Sequence, residues 1–142
     1  MREILFRGKS LIDNEWVIGA GVYKSEGYIW IITDDATKAE NRGTGSDAII
    51  PETVGQFTGL TDKNGKKIFE GDVVKREFTL WHGETKKTRE TQIGVVVYSN
   101  RDCGFQVEKK CNLRKPWGGD TIEVIGNIHD NPELLERSNE NG

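Results

Sequence analysis

The chain has 142 residues, 35% of them hydrophobic and 30% charged, with 17 Gly, 3 Pro and a formal net charge of −3. This length is enough for one domain, or one domain with a small appended piece, and for a core that needs no metal or disulfide; the composition is globular rather than disordered or fibrous. The slight acidity argues against a protein dominated by phosphate contacts, because non-specific nucleic-acid affinity comes chiefly from clustered Lys and Arg.

Residues 1–52 form a predicted N-terminal β-rich segment. Strands are predicted at Glu3–Phe6, Glu15–Ile18 and Gly27–Thr33, which are rich in β-branched and aromatic residues. The third is continuously apolar, which predicts a strand covered on both faces. Residues 34–47 are polar and small without sustained periodicity, so we expect an exposed loop there, with a short helix through residues 36–41 as the alternative.

Residues 53–128 form a predicted barrel-like core domain that opens with a hairpin. The stretch DKNG, Asp62–Gly65, predicts a turn because Asn64 and Gly65 tolerate positive φ. Gly71 is placed where a strand must bend or bulge, and Asp72 is placed to accept backbone N–H bonds in that bend. We expect these residues, together with Gly59, to be structural.

The strongest strand signal of the chain follows in TQIGVVVYSN, residues 91–100, and its unbroken apolar run predicts a central position in a sheet. Two more strands are predicted at 104–108 and 120–128. Short strands joined by Gly-bearing turns favour a mostly β fold with a small barrel or sandwich at its core.

Residues 129–142 predict a short helix and a frayed tail. Asn131 is a predicted N-cap, Pro132 occupies the first helical position, and Glu133 lies beside the positive helix end. Leu134 and Leu135 would dock this helix, which should end near residue 137.

Carboxylates at short spacing between residues 62 and 72 resemble a cation site. The calcium-loop pattern, however, needs an oxygen ligand where Lys66 stands and a glycine where Lys67 stands, and two ammonium groups would repel the ion. We therefore interpret Asp62, Asn64 and Asp72 as turn and bend residues and predict no metal.

Cys103, Cys111, His82 and His129 are the residue types of a zinc site or a thiol enzyme. The cysteines lie eight positions apart and neither histidine has a partner three to five residues away, whereas structural zinc ligands come in close pairs. No nucleophile elbow surrounds any candidate. We predict no catalytic residue, no metal and no cofactor, and keep a thiol or metal-dependent enzyme as a second alternative.

Positive charge is concentrated in the middle of the chain, where residues 57–128 hold 13 Lys/Arg against 10 Asp/Glu. Small barrels that bind single strands combine such cations with stacking rings. The competing interpretation is a solvated charged face over an edge strand. The predicted binding residues, with Trp81 nearby, are Lys86, Lys87, Arg89, Lys109, Lys110, Arg114, Lys115 and Trp117.

No run of apolar residues predicts secretion or membrane insertion. Ile4–Phe6 is too short for the core of a signal peptide, and the longest run, Tyr28–Ile32, is far below the roughly 20 residues that span a bilayer. We expect a cytoplasmic protein whose Cys103 and Cys111 are thiols, with a hairpin-bridging disulfide as the alternative.

The block TVGQFTGLTDKNGKKIFEGDVV resembles the signature of the YopX family, proteins carried by temperate phages and prophages. MREILFR and IEVIGNIHDNPELLE resemble the family's start and close, in the expected order. The resemblance implies a mostly β fold with an SH3-like or related barrel and a phage-encoded protein in the host cytoplasm. It implies no activity and transfers no catalytic position.

The sequence therefore favours a non-enzymatic binding or regulatory module that acts through a host or phage protein partner. Small barrels commonly serve as recognition surfaces, and the overall acidity slightly favours protein over nucleic acid. The first alternative is single-stranded nucleic-acid binding by the basic middle segment. A homo-oligomer is also expected to be feasible, because exposed edge strands can pair between copies.

Overall fold

The computed structural model describes residues 3–33, 45–108, 111–112 and 122–135. This part of the chain is mostly β, as predicted, with helical turns at Pro51–Thr53 and at residues 133–135. The chain divides into two compact units, Met1–Gly59 and Leu60–Gly142. The predicted segments 1–52, 53–128 and 129–142 stay predictions.

The first unit contains two antiparallel sheets, ordered β2-β1-β6 and β3-β4-β5. Its strands are β1 Phe6–Lys9, β2 Trp16–Gly19, β3 Gly21–Ser25, β4 Tyr28–Ile32, β5 Ser46–Ile49 and β6 Gly55–Thr61, the last of which ends in the second unit. The strand predicted at Glu3–Phe6 therefore starts later than expected. Residues 46 and 47, predicted as the end of a loop, belong to β5, and residue 45 precedes that strand. Residues 34–44 of the predicted loop lie outside the described residues.

The core of the first unit is built from Val17, Ile31 and Ile49, with Phe6 and Val54 packed against them. The backbone of β1 lies close to the Ile49 side chain at Gly8. A Cβ added to Gly8 would lie 2.3 Å from Ile49 Cγ2. A glycine is therefore what allows β1 to lie on the core.

The prediction that β4 is covered on both faces is wrong. Ile31 is buried, whereas Tyr28 and Ile32 on the opposite face are exposed. The rings on this outer face contact each other: Tyr23 and Trp30 have centroids 6.3 Å apart and planes 11° apart. Trp30 Nε1–H also donates to Ser25 O, 3.1 Å away.

The second unit contains an antiparallel sheet of order β11-β10-β9-β8-β12. The strands of this sheet are β8 Asp72–His82, β9 Lys86–Ser99, β10 Gly104–Val107, β11 Cys111–Asn112 and β12 Ile122–Asn127. The unit also contains β7 Lys67–Phe69, which neighbours β6. The run predicted to be central is β9, and it lies in the middle of this sheet.

The predicted SH3-like barrel is not confirmed. Strands β11 and β12 stand at opposite ends of the sheet, which is open within the residues described. Five strands instead contribute one residue each to a buried apolar cluster, Ile68, Val74, Val96, Val107 and Ile122. Leu60 and Val124 pack against it.

Residues 133–135 are helical, and the predicted end of this helix near residue 137 lies outside the described residues. Asn131 does not act as predicted. Its side-chain oxygen accepts from the backbone N–H of Asn127 at 3.3 Å instead of capping the first helical turn. Leu134 does dock, since a Cβ added at Gly126 would lie 2.9 Å from its Cδ1. The predicted tail lies outside the described residues. No helix in the described ranges is long and apolar enough to cross a membrane.

Candidate functional site

Asp62 is a buried carboxylate that organises the predicted DKNG turn. Its Oδ1 accepts hydrogen bonds from the backbone N–H groups of Asn64 and Lys66, both at 2.9 Å. Its Oδ2 accepts from the N–H of Val124 in β12, also at 2.9 Å. Each carboxylate oxygen is thus used by backbone donors, which confirms the prediction of a turn in the folded chain.

Electrostatics agree with this structural role. Burial of the Asp62 carboxyl raises its pKa, but hydrogen bonds from Val124, Lys66 and Asn64 lower it, and the Lys66 charge adds to them. The resulting pKa lies below the ordinary value for aspartate. Asp62 is therefore ionised at neutral pH and satisfied by its own fold.

Gly71 and Asp72 form the predicted bend between β7 and β8. Gly71 has φ of +92°, a left-handed conformation that glycine adopts without strain, and Gly59 has φ of +89°. Asp72 is almost fully buried, and its Oδ2 accepts from the N–H of Phe69 at 2.8 Å. The conformations and contacts of these residues agree with their prediction as structural.

The predicted basic residues Lys86, Lys87 and Arg89 lie on the outer part of the β8–β9 hairpin. We call residues 77–91 the hairpin arm. Its strands pair without interruption from Glu77↔Thr91 to His82↔Lys86. Its described side chains are exposed, apart from the half-buried Thr88. The arm thus presents a two-stranded ribbon to solvent, beyond the buried part of β8 and β9.

Cross-strand register assigns the arm's side chains to two faces, because directly opposite residues in an antiparallel pair lie on the same side. Trp81 lies opposite Lys87, whose Nζ is 5.6 Å from the indole centroid. Trp81 therefore lies, as predicted, near one of the basic residues, Lys87. We call this side the ladder face; it carries Glu77, Thr79, Trp81, Lys87, Arg89 and Thr91.

The ladder face carries charges of both signs, with Glu77 against Arg89 and Lys87. Arg89 Nη2 lies 3.0 Å from Glu77 Oε2, and Lys75 Nζ lies 3.9 Å from Glu77 Oε1. The Arg89 hydrogen bond and charge, with the Lys75 charge, lower the pKa of Glu77. Arg89, one of the two predicted binding cations on this face, is thus paired with Glu77, which is not among the predicted binding residues.

The second face of the arm joins His82, Thr88 and Glu90 in a chain of hydrogen bonds. Thr88 Oγ1 donates to Glu90 Oε1 at 3.0 Å and lies 3.0 Å from His82 Nε2. Because the hydroxyl proton is directed to Glu90, the imidazole nitrogen must be the donor in its contact.

Cys103 is an exposed thiol in the turn between β9 and β10, where its Sγ contacts Asn100 O at 3.7 Å. Among the described residues, no group of three or more His, Cys, Asp and Glu could hold a metal ion. Five predicted binding residues, Lys109, Lys110, Arg114, Lys115 and Trp117, lie outside the described residues. The side chain of Cys111 is also outside them, so the predictions attached to these residues stay predictions.

Comparison with known proteins bears on the family and the fold. The model of the YopX family, described as YopX protein, matches residues 5–136. The crystal structure of protein EF1440 from Enterococcus faecalis is similar, with a TM-score of 0.50 and 24% sequence identity over 93% of this chain and 97% of that one. No curated protein matches the sequence. The structural similarity concerns the fold alone.

Proposed function

Since this chain belongs to the YopX family, we propose that it is a non-enzymatic binding module whose hairpin arm contacts a protein partner, of host or phage origin, in the bacterial cytoplasm. The observation that supports this proposal is the exposure of large apolar side chains on the arm. Trp81 is 58% exposed and Leu80 is 43% exposed. Trp is enriched among residues that dominate binding energy in protein interfaces.

The charges around Trp81 favour a protein over a polyanion. Lys75, Glu77 and Arg89 form an alternating row on the arm and its base. A phosphate backbone would have to compete with Glu77 for the same cations, whereas a protein surface can match both signs. Ionic contacts at the edge of such an interface mainly set orientation and association rate.

The experiment is a comparative affinity pull-down from induced or infected cells with the wild-type chain, Trp81→Ala and Ile12→Ala. Ile12 is the matched control because it is also a large exposed apolar residue, 69% accessible, in the first unit. We expect a protein that is retained by the wild type and by Ile12→Ala to be lost with Trp81→Ala. Equal retention by all three would contradict the proposal.

A second candidate function, single-stranded nucleic-acid binding, is favoured by the Lys87 ammonium above the Trp81 ring. Stacking rings beside cations are the elements of such surfaces. Labelled oligonucleotides titrated at low and moderate salt test it. Binding should weaken with salt and fall strongly in Lys86→Glu/Lys87→Glu. No binding at low salt, or binding that this variant leaves unchanged, would exclude the arm as a nucleic-acid site.

A further inference from the structure

Strand β3, Gly21–Ser25, is the edge of the sheet β3-β4-β5. It carries no proline and a single charged residue, Lys24, although charge and proline are common means of blocking an exposed edge. Most of its side chains are exposed, with Tyr23 at 41%. In the second unit, by contrast, backbone groups on the outer side of β12 have hydrogen-bond partners. The Val124 N–H donates to the Asp62 carboxylate, and the Ile122 carbonyl accepts from the Lys63 N–H.

The hairpin that joins β3 to β4 determines which backbone groups of β3 point outward. Its two turn residues, Glu26 and Gly27, have φ of 54° and 83°, as a type I′ turn requires. Ser25 and Tyr28, which flank that turn, therefore form a hydrogen-bonded pair. Along the ladder such pairs alternate with non-hydrogen-bonded pairs, so Val22 and Lys24 belong to the non-hydrogen-bonded ones. Consequently the N–H and C=O groups of Val22 and Lys24 point away from β4, and in the described part of the chain they have no hydrogen-bond partner.

We propose that β3 pairs antiparallel with β3 of a second copy of this chain, around a two-fold axis at Tyr23. In this register Val22 lies opposite Lys24 of the second copy, and the two residues exchange both hydrogen bonds. Symmetry repeats the exchange on the other side of the axis, so the outward groups of both residues are satisfied in both copies. Tyr23 lies opposite itself in the non-hydrogen-bonded pair between them.

The side chains of β3 fit this self-pairing. The only charge, Lys24, meets Val22 rather than another Lys24, which avoids like charges directly across the strands. The Tyr23 rings form an aromatic cross-strand pair at the axis. Gly21 meets Ser25, so the small residues meet each other. The two sheets become one continuous sheet whose outer face joins the exposed rings of Tyr23 and Tyr28 from both copies.

Two substitutions at Val22 test the register by sedimentation equilibrium from micromolar to millimolar concentration. Val22→Lys places two ammonium groups across the strands, and we expect the dimer dissociation constant to rise about tenfold, since two such pairs form. Val22→Glu removes the same apolar side chain but faces Lys24, so dimerisation should be kept or strengthened. The double variant Val22→Lys/Lys24→Glu should restore it. A monomeric wild type, or equal effects of Lys and Glu at position 22, would overturn the proposal.

Disulfide trapping provides a second test in a Cys103→Ser/Cys111→Ser background. Tyr23→Cys places two cysteines directly opposite at a Cα separation of about 4.5 Å, which a disulfide can bridge. Lys24→Cys places them diagonally, roughly 7–8 Å apart, beyond that range. We expect a covalent dimer from Tyr23→Cys under mild oxidation and little from Lys24→Cys. Equal trapping at both positions, or none at position 23, would overturn the register. The variants at positions 22–24 leave the residues of the arm unchanged, so failure of this test is distinguishable from failure of the proposed function.

Discussion

At the scale of single residues, the carboxylates that resemble a site are used by the backbone. The Asp62 carboxylate accepts hydrogen bonds from three backbone N–H groups, and the Asp72 carboxylate accepts one from the N–H of Phe69. A carboxylate whose oxygens already bind backbone donors has little capacity left for a cation or a substrate. The carboxylates of the stretch DKNGKKIFEGD therefore stabilise a turn and a bend of the fold.

Asp62→Asn is expected to lower the free energy of unfolding by about 1–3 kcal/mol at neutral pH, because the amide nitrogen cannot accept the N–H of Val124. The folded-state pKa of Asp62 is depressed. Its stabilisation is therefore complete above the unfolded pKa of about 4 and is lost as pH falls through the lower folded value. The difference between wild type and variant should shrink in strong acid.

Denaturant unfolding of both proteins across the acid range measures this difference. Glu77→Gln is the control, since Glu77 is a surface carboxylate of the same unit whose ion pairs are screened by solvent. It should leave the unfolding free energy nearly unchanged. Wild type and Asp62→Asn curves that stay parallel down to strong acid would refute the assigned role of the charge.

At the scale of elements, close approach of β1 to the first unit's core depends on Gly8. Gly8→Ala would place a methyl group against Ile49 and should cost about 1–3 kcal/mol of stability. In Gly8→Ala/Ile49→Ala the overlap is removed. We expect the double variant to lose less stability than the sum of the two single variants, as measured by denaturant unfolding.

Gly104→Ala serves as the matched control for this cycle. A Cβ at Gly104 would meet no atom closer than 3.9 Å, so this substitution should be mild. Strict additivity of Gly8→Ala and Ile49→Ala would show that the methyl group is accommodated elsewhere, and the packing account of β1 would then be wrong.

At the scale of the whole molecule, the sequence predicted the β class, the DKNG turn, the Gly71 bend and the central position of β9. These features depend on local turn chemistry and on apolar runs. It did not predict the exposed outer face of β4, because a short apolar run cannot show whether one or both faces are covered. Nor could it predict how the strands order into sheets, which depends on contacts far apart in the chain.

The candidate site was predictable only where it depends on residues close together in the sequence. Clustered charge identified Lys86, Lys87 and Arg89, and proximity in sequence suggested Trp81. The pairing of Glu77 with Arg89 depends on the register of a hairpin with long strands. That register can be counted from the turn at residues 83–85 only once the pairing of β8 with β9 is known. The exposed edge of β3 likewise required the sheet order.

The bond between Asp62 and Val124 joins residues 62 positions apart in the chain. A hairpin turn such as DKNG closes in microseconds, whereas a contact of this separation must wait until the intervening strands are in place. We therefore expect the two oxygens of the Asp62 carboxylate to form their bonds at different stages of folding. Interactions made after the transition state act mainly on the unfolding rate. We therefore expect loss of the bond to β12 to raise the unfolding rate more than it lowers the folding rate, as measured by stopped-flow folding and unfolding of Asp62→Asn.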